Sequence, residues 1–259
     1  MASLFPEPNE RSIWRSSKIL VIVVGLLIFV RLFLYQHFLI PSGSMIPTLL
    51  IGDMIIVDKS AYGYSKYGMP FHLSFFNGRK WAKMPKRGDI VVFNNPQNEK
   101  IDFVKRCIGL PGDRIKFDYG ILSINGVKCA YQPVEPYRFF DDEDKQVKMV
   151  NQYEETLDNG LKHNIIVVKD SPEERANDSA HNTYEIVVPE NHFLPIGDNR
   201  NRSWDGRFFG PIHMDRLIGK GRYILMSFTF EFSGELKNPL TWWKLKLYPR
   251  FSRFGIVPV

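Results

Sequence analysis

The chain has 259 residues, room for one large domain or two small ones with a sizeable core. Its 34 basic and 28 acidic residues leave a formal charge of +6, spread without a long basic tract; this disfavours a nucleic-acid partner and suits attraction to anionic lipid. Six histidines without metal-ligand spacing and two cysteines without a zinc motif point to no metal.

From Ile19 to Ile40 the chain offers 22 mostly apolar residues, broken by Arg31, Gln36 and His37. As a helix this run is about 33 Å long, enough to cross a bilayer. Arg11, Arg15 and Lys18 precede it, so residues 1–18 are expected in the cytoplasm and everything after residue 40 on the far side, with Arg31 snorkelling outward. The competing reading is a cleaved signal peptide with Ile19 to Val30 as its apolar core and Ser42-Gly43-Ser44 as the cleavage region. The continued run through Leu32, Phe33, Leu34, Phe38, Leu39 and Ile40 suits an uncleaved anchor.

Directly after the anchor, Pro41-Ser42-Gly43-Ser44-Met45-Ile46-Pro47-Thr48 presents two hydroxyls in a loop bounded by Pro and Gly. The prolines restrict their own φ and the residues before them, and Gly43 has access to angles closed to other residues, so Ser44 is expected on a stiff turn. A plain linker leaving a membrane helix reads the same way, and a serine needs a base before it counts as catalytic.

Beyond residue 48, short β-branched runs alternate with turn signals: Met54 to Val57, Ile90 to Phe93 and Phe103 to Ile108 read as strands. Asn125-Gly126 between Ile121–Ile124 and Val127–Cys129 reads as a tight hairpin, and Phe228, Phe230 and Phe232 alternate with polar residues as one strand face. The fold expected is mainly β, a barrel or folded antiparallel sheets behind one helix. The core spans 41–129 and 186–235. Residues 130–185 carry acidic, loop-like stretches, Asp141 to Asp144 and Ser171 to Glu174, around a strand candidate at Ile165 to Val168, and read as an inserted cap. Residues 236–259 form an aromatic and basic tail around Trp242 to Arg250, either interfacial or packed on the core.

Lys105 and Arg106 lie side by side in an apolar strand, where neighbouring side chains point to opposite faces and need separate partners. If one pairs with an acid and the other is desolvated, a lysine among Phe103 and Val104 has its pKa lowered and becomes a base for Ser44. An exposed edge pair guarding against aggregation is the other reading. A third stretch, Gly197 to Pro211, packs Asp198, Arg200, Arg202, Ser203, Asp205 and Arg207 into a Gly-bounded loop. It reads as an ion-pair network, or as the support of a catalytic lysine with Asp198 accepting from Arg106.

In their order behind one anchor, the three stretches resemble the boxes of the bacterial type I signal peptidases, the Ser-Lys proteases that remove signal peptides from exported proteins. The resembling residues are Pro41 to Met45 with Pro47-Thr48-Leu49, Gly52-Asp53, Arg87 to Phe93, Lys105-Arg106 with Gly109 to Asp113, and Gly197 to Arg200 with Ser203, Asp205 and Arg207. The resemblance implies Ser44 as nucleophile and Lys105 as general base. It also implies an oxyanion hole from the Ser44 N–H and the Ser42 hydroxyl, with Ser203 orienting Lys105. Asp198 then pairs with Arg106 and Asp205 with Arg207, while Phe38, Ile40, Met45 and Val104 line shallow pockets for small residues of an A-x-A site. It further implies cleavage without a cofactor, on signal-peptide-bearing preproteins, by a monomer in the inner membrane, with the catalytic domain resting on the outer surface. Asn201, Arg202 and Trp204 depart from the family's box. Cys107 and Cys129 read either as a disulfide in an oxidising compartment or as two unbonded thiols. The reading from another class is a membrane-anchored β-domain that binds an envelope partner without catalysis.

Overall fold

The computed structural model describes residues 10–69, 78–141, 146–168, 171, 173, 179, 181–232 and 245–258. The chain starts with α1 (Glu10–Phe29) and a π-helical turn at Val30–Leu34. Ser17–Leu34 is long and apolar enough to cross a membrane, and none of it is buried against the rest of the protein. The helix does not continue to Ile40 as expected. Residues Tyr35–Leu39 form strand β1, in which Gln36 and Phe38 are half-buried and Tyr35, His37 and Leu39 are exposed. An apolar run of five residues cannot by itself distinguish the two periods, and here β2 (Asp53–Asp58) supplies an antiparallel ladder that helix continuation would forgo. Lys59 secures the junction: its N–H donates to the Leu34 carbonyl at 2.8 Å and its Nζ to the Leu32 carbonyl at 2.8 Å.

The expected strands follow as β3 (Ile90–Asn94) and β4 (Asp102–Gly109). Next come β5 (Arg114–Asp118), β6 (Ile121–Ile124) and β7 (Val127–Lys128). Asn125 and Gly126, at φ 52° and 82°, make the hairpin between β6 and β7 that their sequence signals. Residues read as a loop-like insertion hold more regular structure than their polarity suggests: β8 (Ala130–Pro133), β9 (Tyr137–Asp141), β10 (Gln146–Thr156) and β11 (Lys162–Val167) form a four-stranded sheet of their own. Asp142 to Asp144, and Pro172 and Glu174, lie outside the described residues.

The chain returns through β12 (Ile186–Val187), β13 (His192–Ile196), the single helical turn α2 (Gly206–Phe209), β14 (Ile212–His213) and the long β15 (Leu217–Phe232). The described part of the tail forms β16 (Leu245–Pro249), antiparallel to β15, so this part is packed on the sheet; Trp242 and Trp243 lie outside the described residues. The main sheet runs β1-β2-β15-β3-β4-β13-β14 with β16 on β15, and β12-β5-β6-β7 form the third sheet.

Ile40, Met45, Leu49, Ile55, Val57, Ile90, Val92 and Ile224 pack as one buried cluster, with Phe38 and Val104 against it. The loop after the anchor is therefore part of the core, which accounts for its rigidity: burying each such side chain is worth about 1.5–3 kcal/mol. Cys107 and Cys129 are free buried thiols in separate clusters and form no disulfide.

Candidate active site

Ser44 sits in a one-turn 3-10 helix, Gly43–Met45, entered from the extended Ser42. Gly43 is not in the left-handed region as its type allows; a Cβ there would stand 2.9 Å from Ile46 Cδ1, so its contribution is space. The loop is held behind by the Leu49 N–H on the Met45 carbonyl at 2.9 Å and by Thr48 Oγ1, which donates to Asp198 Oδ2 at 2.5 Å.

Strand β4 brings Lys105 to the same place. Its Nζ donates to Ser44 Oγ at 2.6 Å and to the Val104 carbonyl at 3.2 Å, with Ser44 8% and Lys105 4% exposed. Burial pushes the amine down to about 8, against Asp205 and Asp198, which favour its charged form from a distance. Nζ also lies 5.2 Å from the centre of the Phe103 ring.

Arg106, on the opposite face of β4, is fully buried. It meets Asp198 with two parallel bonds, Nε to Oδ1 at 2.9 Å and Nη2 to Oδ2 at 2.7 Å, and gives Nη1 to the Gly88 carbonyl at 2.9 Å. The register explains the pairing: β13 lies against β4 with Ile196 opposite Arg106, so the chain reaches Asp198 two residues later. Asp205 and Arg207 pair likewise, at 2.9 and 2.8 Å, with Asp205 Oδ2 also accepting the Gly197 N–H at 2.9 Å. Burial would raise both carboxyls, but the facing guanidiniums hold Asp198 and Asp205 below the ordinary carboxylate range.

A groove of about 630 Å³ opens over the dyad, and Phe38, Ile40, Met45 and Val104 all line it together with Ser42, Ser44 and Lys105. Trp204 forms a further wall, its ring stacked on Phe208 at 4.6 Å, rather than crowding the amine. Ser203 behaves differently from expectation. Its hydroxyl is buried and helps to hold the Asp205 carboxyl low, and among the described residues the expected bond to Lys105 is not formed.

Four contributors escape a residue-by-residue reading. Asn199 donates its side-chain amide to the Gly43 carbonyl at 3.0 Å and its backbone N–H to the Ser44 carbonyl at 3.1 Å, so it pins both ends of the serine's peptide unit. Gly197 passes so close that a Cβ would collide with Ser203 Oγ and stand 2.7 Å from the Ser44 carbonyl oxygen. Glu155 of β10 enters the core to meet Arg200 at 3.0 and 2.5 Å. Gly197, Asn199 and Arg200 belong to the loop singled out in the sequence, but Glu155 carries no local signal because its partner is 45 positions away.

A buried serine hydroxyl held against a desolvated amine in an open groove fits a serine hydrolase. The family model described as signal peptidase, peptidase S26, matches residues 13–226. Signal peptidase I of Rickettsia typhi is 34% identical over 224 residues, covering 85% of this chain and 79% of that protein. Signal peptidase I of Buchnera aphidicola subsp. Schizaphis graminum is 34% identical over 255 residues, with 85% and 77% covered. A crystal structure of a signal peptidase I from Enterococcus faecalis is 26% identical with a TM-score of 0.31, over 53% of this chain and 97% of that one. The chain belongs to the signal peptidase family, peptidase S26. It is a membrane-anchored serine endopeptidase that removes signal peptides.

Proposed function

We propose that Ser44 is the nucleophile and Lys105 the general base of this peptidase, a reading carried by the 2.6 Å contact between two buried side chains. In the neutral form the bond reverses, and the Ser44 hydroxyl donates to the amine. As Oγ attacks the scissile carbonyl, its proton passes to Nζ. The oxyanion is taken by the Ser44 N–H and the Ser42 hydroxyl at the groove's rim. The ammonium then protonates the leaving amine, the C–N bond breaks, and an acyl-enzyme remains; water repeats the sequence with Lys105 again as base. Asp198–Arg106 and Asp205–Arg207 hold the frame, and Ser203 accepts from the amine when it is charged.

Two open strand edges support an extended substrate. Among the described residues β1 pairs only with β2, and the Asp102–Lys105 part of β4 pairs only with β3, since β13 ends opposite Arg106. A peptide strand laid along these edges puts its alternate side chains against Phe38, Ile40, Met45 and Val104, where small residues at −1 and −3 fit.

The same reading divides the chain into a short cytoplasmic N-terminus, an anchor, a catalytic core over 41–129 and 186–235, a cap over 130–185 and a tail. It puts the core on the extracytoplasmic side of the inner membrane, because Arg11, Arg15 and Lys18 precede the span. The reading is completed by a monomer acting on preproteins at the lipid surface. The test is cleavage of an Ala-x-Ala preprotein by the full-length protein in lipid, with Ser44→Ala, Lys105→Ala and each histidine changed to alanine. Loss of activity with the first two alone supports the dyad, whereas an inactive wild type favours a non-catalytic binding domain.

A further inference from the structure

A second cleft, of about 710 Å³, lies where the anchor meets the core and adjoins the catalytic groove through the shared residues Phe38 and Asp102. Three basic side chains line it: Arg31 from the last turn of the anchor, His37 from β1 and Lys59 from the end of β2. Among the described residues none of the three is paired with a carboxylate. The one acid in the cleft, Asp102, already accepts from Asn94 Nδ2 at 3.1 Å.

Lys59 is the telling member. It is 4% exposed, and among the described residues its ammonium makes one hydrogen bond, to the Leu32 carbonyl. A buried cation without a counter-charge is costly, and burial accordingly lowers its pKa. An anion entering the cleft supplies the missing charge and takes up donors of both Lys59 and Arg31.

The apolar surroundings decide which anion. Immediately before the cleft, Leu27, Ile28 and Phe29 of α1 are exposed, and Leu32 lines the cleft itself. A ligand with a negative head and two acyl chains matches both parts at once; a free phosphate matches only the first. We propose that Arg31, Lys59 and His37 form a binding site for the phosphate of an anionic phospholipid, whose acyl chains run along the anchor helix. The proposal rests on the anchor spanning the bilayer and not on the catalytic assignments. Its position ties the lipid to the strand that carries Phe38, so an occupied site steadies one wall of the substrate groove.

The test uses full-length protein in nanodiscs of phosphatidylcholine with and without phosphatidylglycerol. Lipid retention is read by native mass spectrometry and preprotein cleavage is read in parallel. Retention of phosphatidylglycerol is expected to fall by about fivefold for each cation removed, in Arg31→Gln and in Lys59→Met, the factor carried by one basic residue at an anionic surface. Lys59→Arg should restore it. Unchanged retention in Arg31→Gln and Lys59→Met overturns the proposal, as does equal occupancy by glycerol phosphate added to phosphatidylcholine discs. If either variant raises KM for preprotein in phosphatidylcholine alone, the cleft serves the substrate and the lipid assignment fails. Among the described residues Arg31 makes no hydrogen bond or ion pair to the core, so its variant keeps the test valid should Lys59→Met misfold.

Discussion

Lys105 and Arg106 are consecutive in β4 and both buried, yet Arg106 lies against the Asp198 carboxylate at 2.7 Å while the nearest partner of Lys105 Nζ is the uncharged Ser44 hydroxyl at 2.6 Å. Strand geometry separates the two cations onto opposite faces, and the difference in partners makes one a permanent charge and the other a titratable base.

Burial holds the Lys105 amine down to about 8, so kcat/KM should rise with pH to a plateau, with half of the maximum near that value and about a tenfold loss per unit below it. The same shift affects stability. The folded state binds fewer protons than the unfolded one between about 8 and the free lysine value of about 10.4, so stability rises with pH across that window. Lys105→Met should accordingly be inactive but more stable by about 1–3 kcal/mol, measured by denaturant unfolding. A pH-independent rate would rule out a neutral amine as the base.

Asp198→Ala removes the one carboxylate that meets Arg106 among the described residues and leaves a fully buried guanidinium, at an expected cost of about 3–5 kcal/mol. It also frees Thr48 and with it the loop behind Ser44. Because Asp198 and Asp205 are held below the ordinary carboxylate range, their stabilisation is present above about pH 4 and is lost as pH falls further; Asp198→Ala should flatten the acid unfolding profile there.

Asn199→Ala removes the amide bond to the Gly43 carbonyl but keeps the backbone bond to Ser44. We expect a stability loss of about 1 kcal/mol and a fall in kcat of about 10- to 100-fold, with KM little changed, since the serine moves but the pockets do not. Asn199→Asp, which loses the donor, should behave alike. A KM effect without a kcat effect in steady-state kinetics would contradict this role.

The tail acts at a distance. Arg253 gives Nη2 to the fully buried Asp53 at 2.6 Å and to the Thr48 carbonyl at 2.9 Å, and Arg250 reaches Ser227 Oγ at 2.7 Å and Asp53 at 3.3 Å. Arg253→Ala should lower stability by about 1–3 kcal/mol and reduce activity through the Ser44–Asp53 loop. The double change with Arg250→Ala should cost more than the sum of the singles, because the two share one carboxylate. Thermal unfolding of the four proteins measures that coupling.

Much of the site was legible in the chain before folding was considered. Ser44 stood in a Pro-bounded loop after an apolar run, and two cations stood side by side in a strand. A loop dense in charge followed, and the β-rich core announced itself through period-two patterns and Asn125-Gly126. The resemblance added their roles and the Asp205–Arg207 pair, which forms, as does the Asp198–Arg106 pair read from the loop itself. Local patterns carry such information because turn chemistry and strand alternation act between neighbours in sequence.

What only the tertiary structure decided depends on residues far apart. The end of the apolar run became β1 because β2 offered it hydrogen bonds, and the acidic insertion became a sheet because β10 found three partners. The Ser203 hydroxyl turned out to lie off Lys105, Asn199 to hold the nucleophile's turn, and the tail to clamp Asp53. The sequence by itself determined which groups the protein carries and the turns that present them. Which of two adjacent cations became the base was settled by long-range packing, since burial and the distance to a carboxylate exist only once the chain has closed on itself.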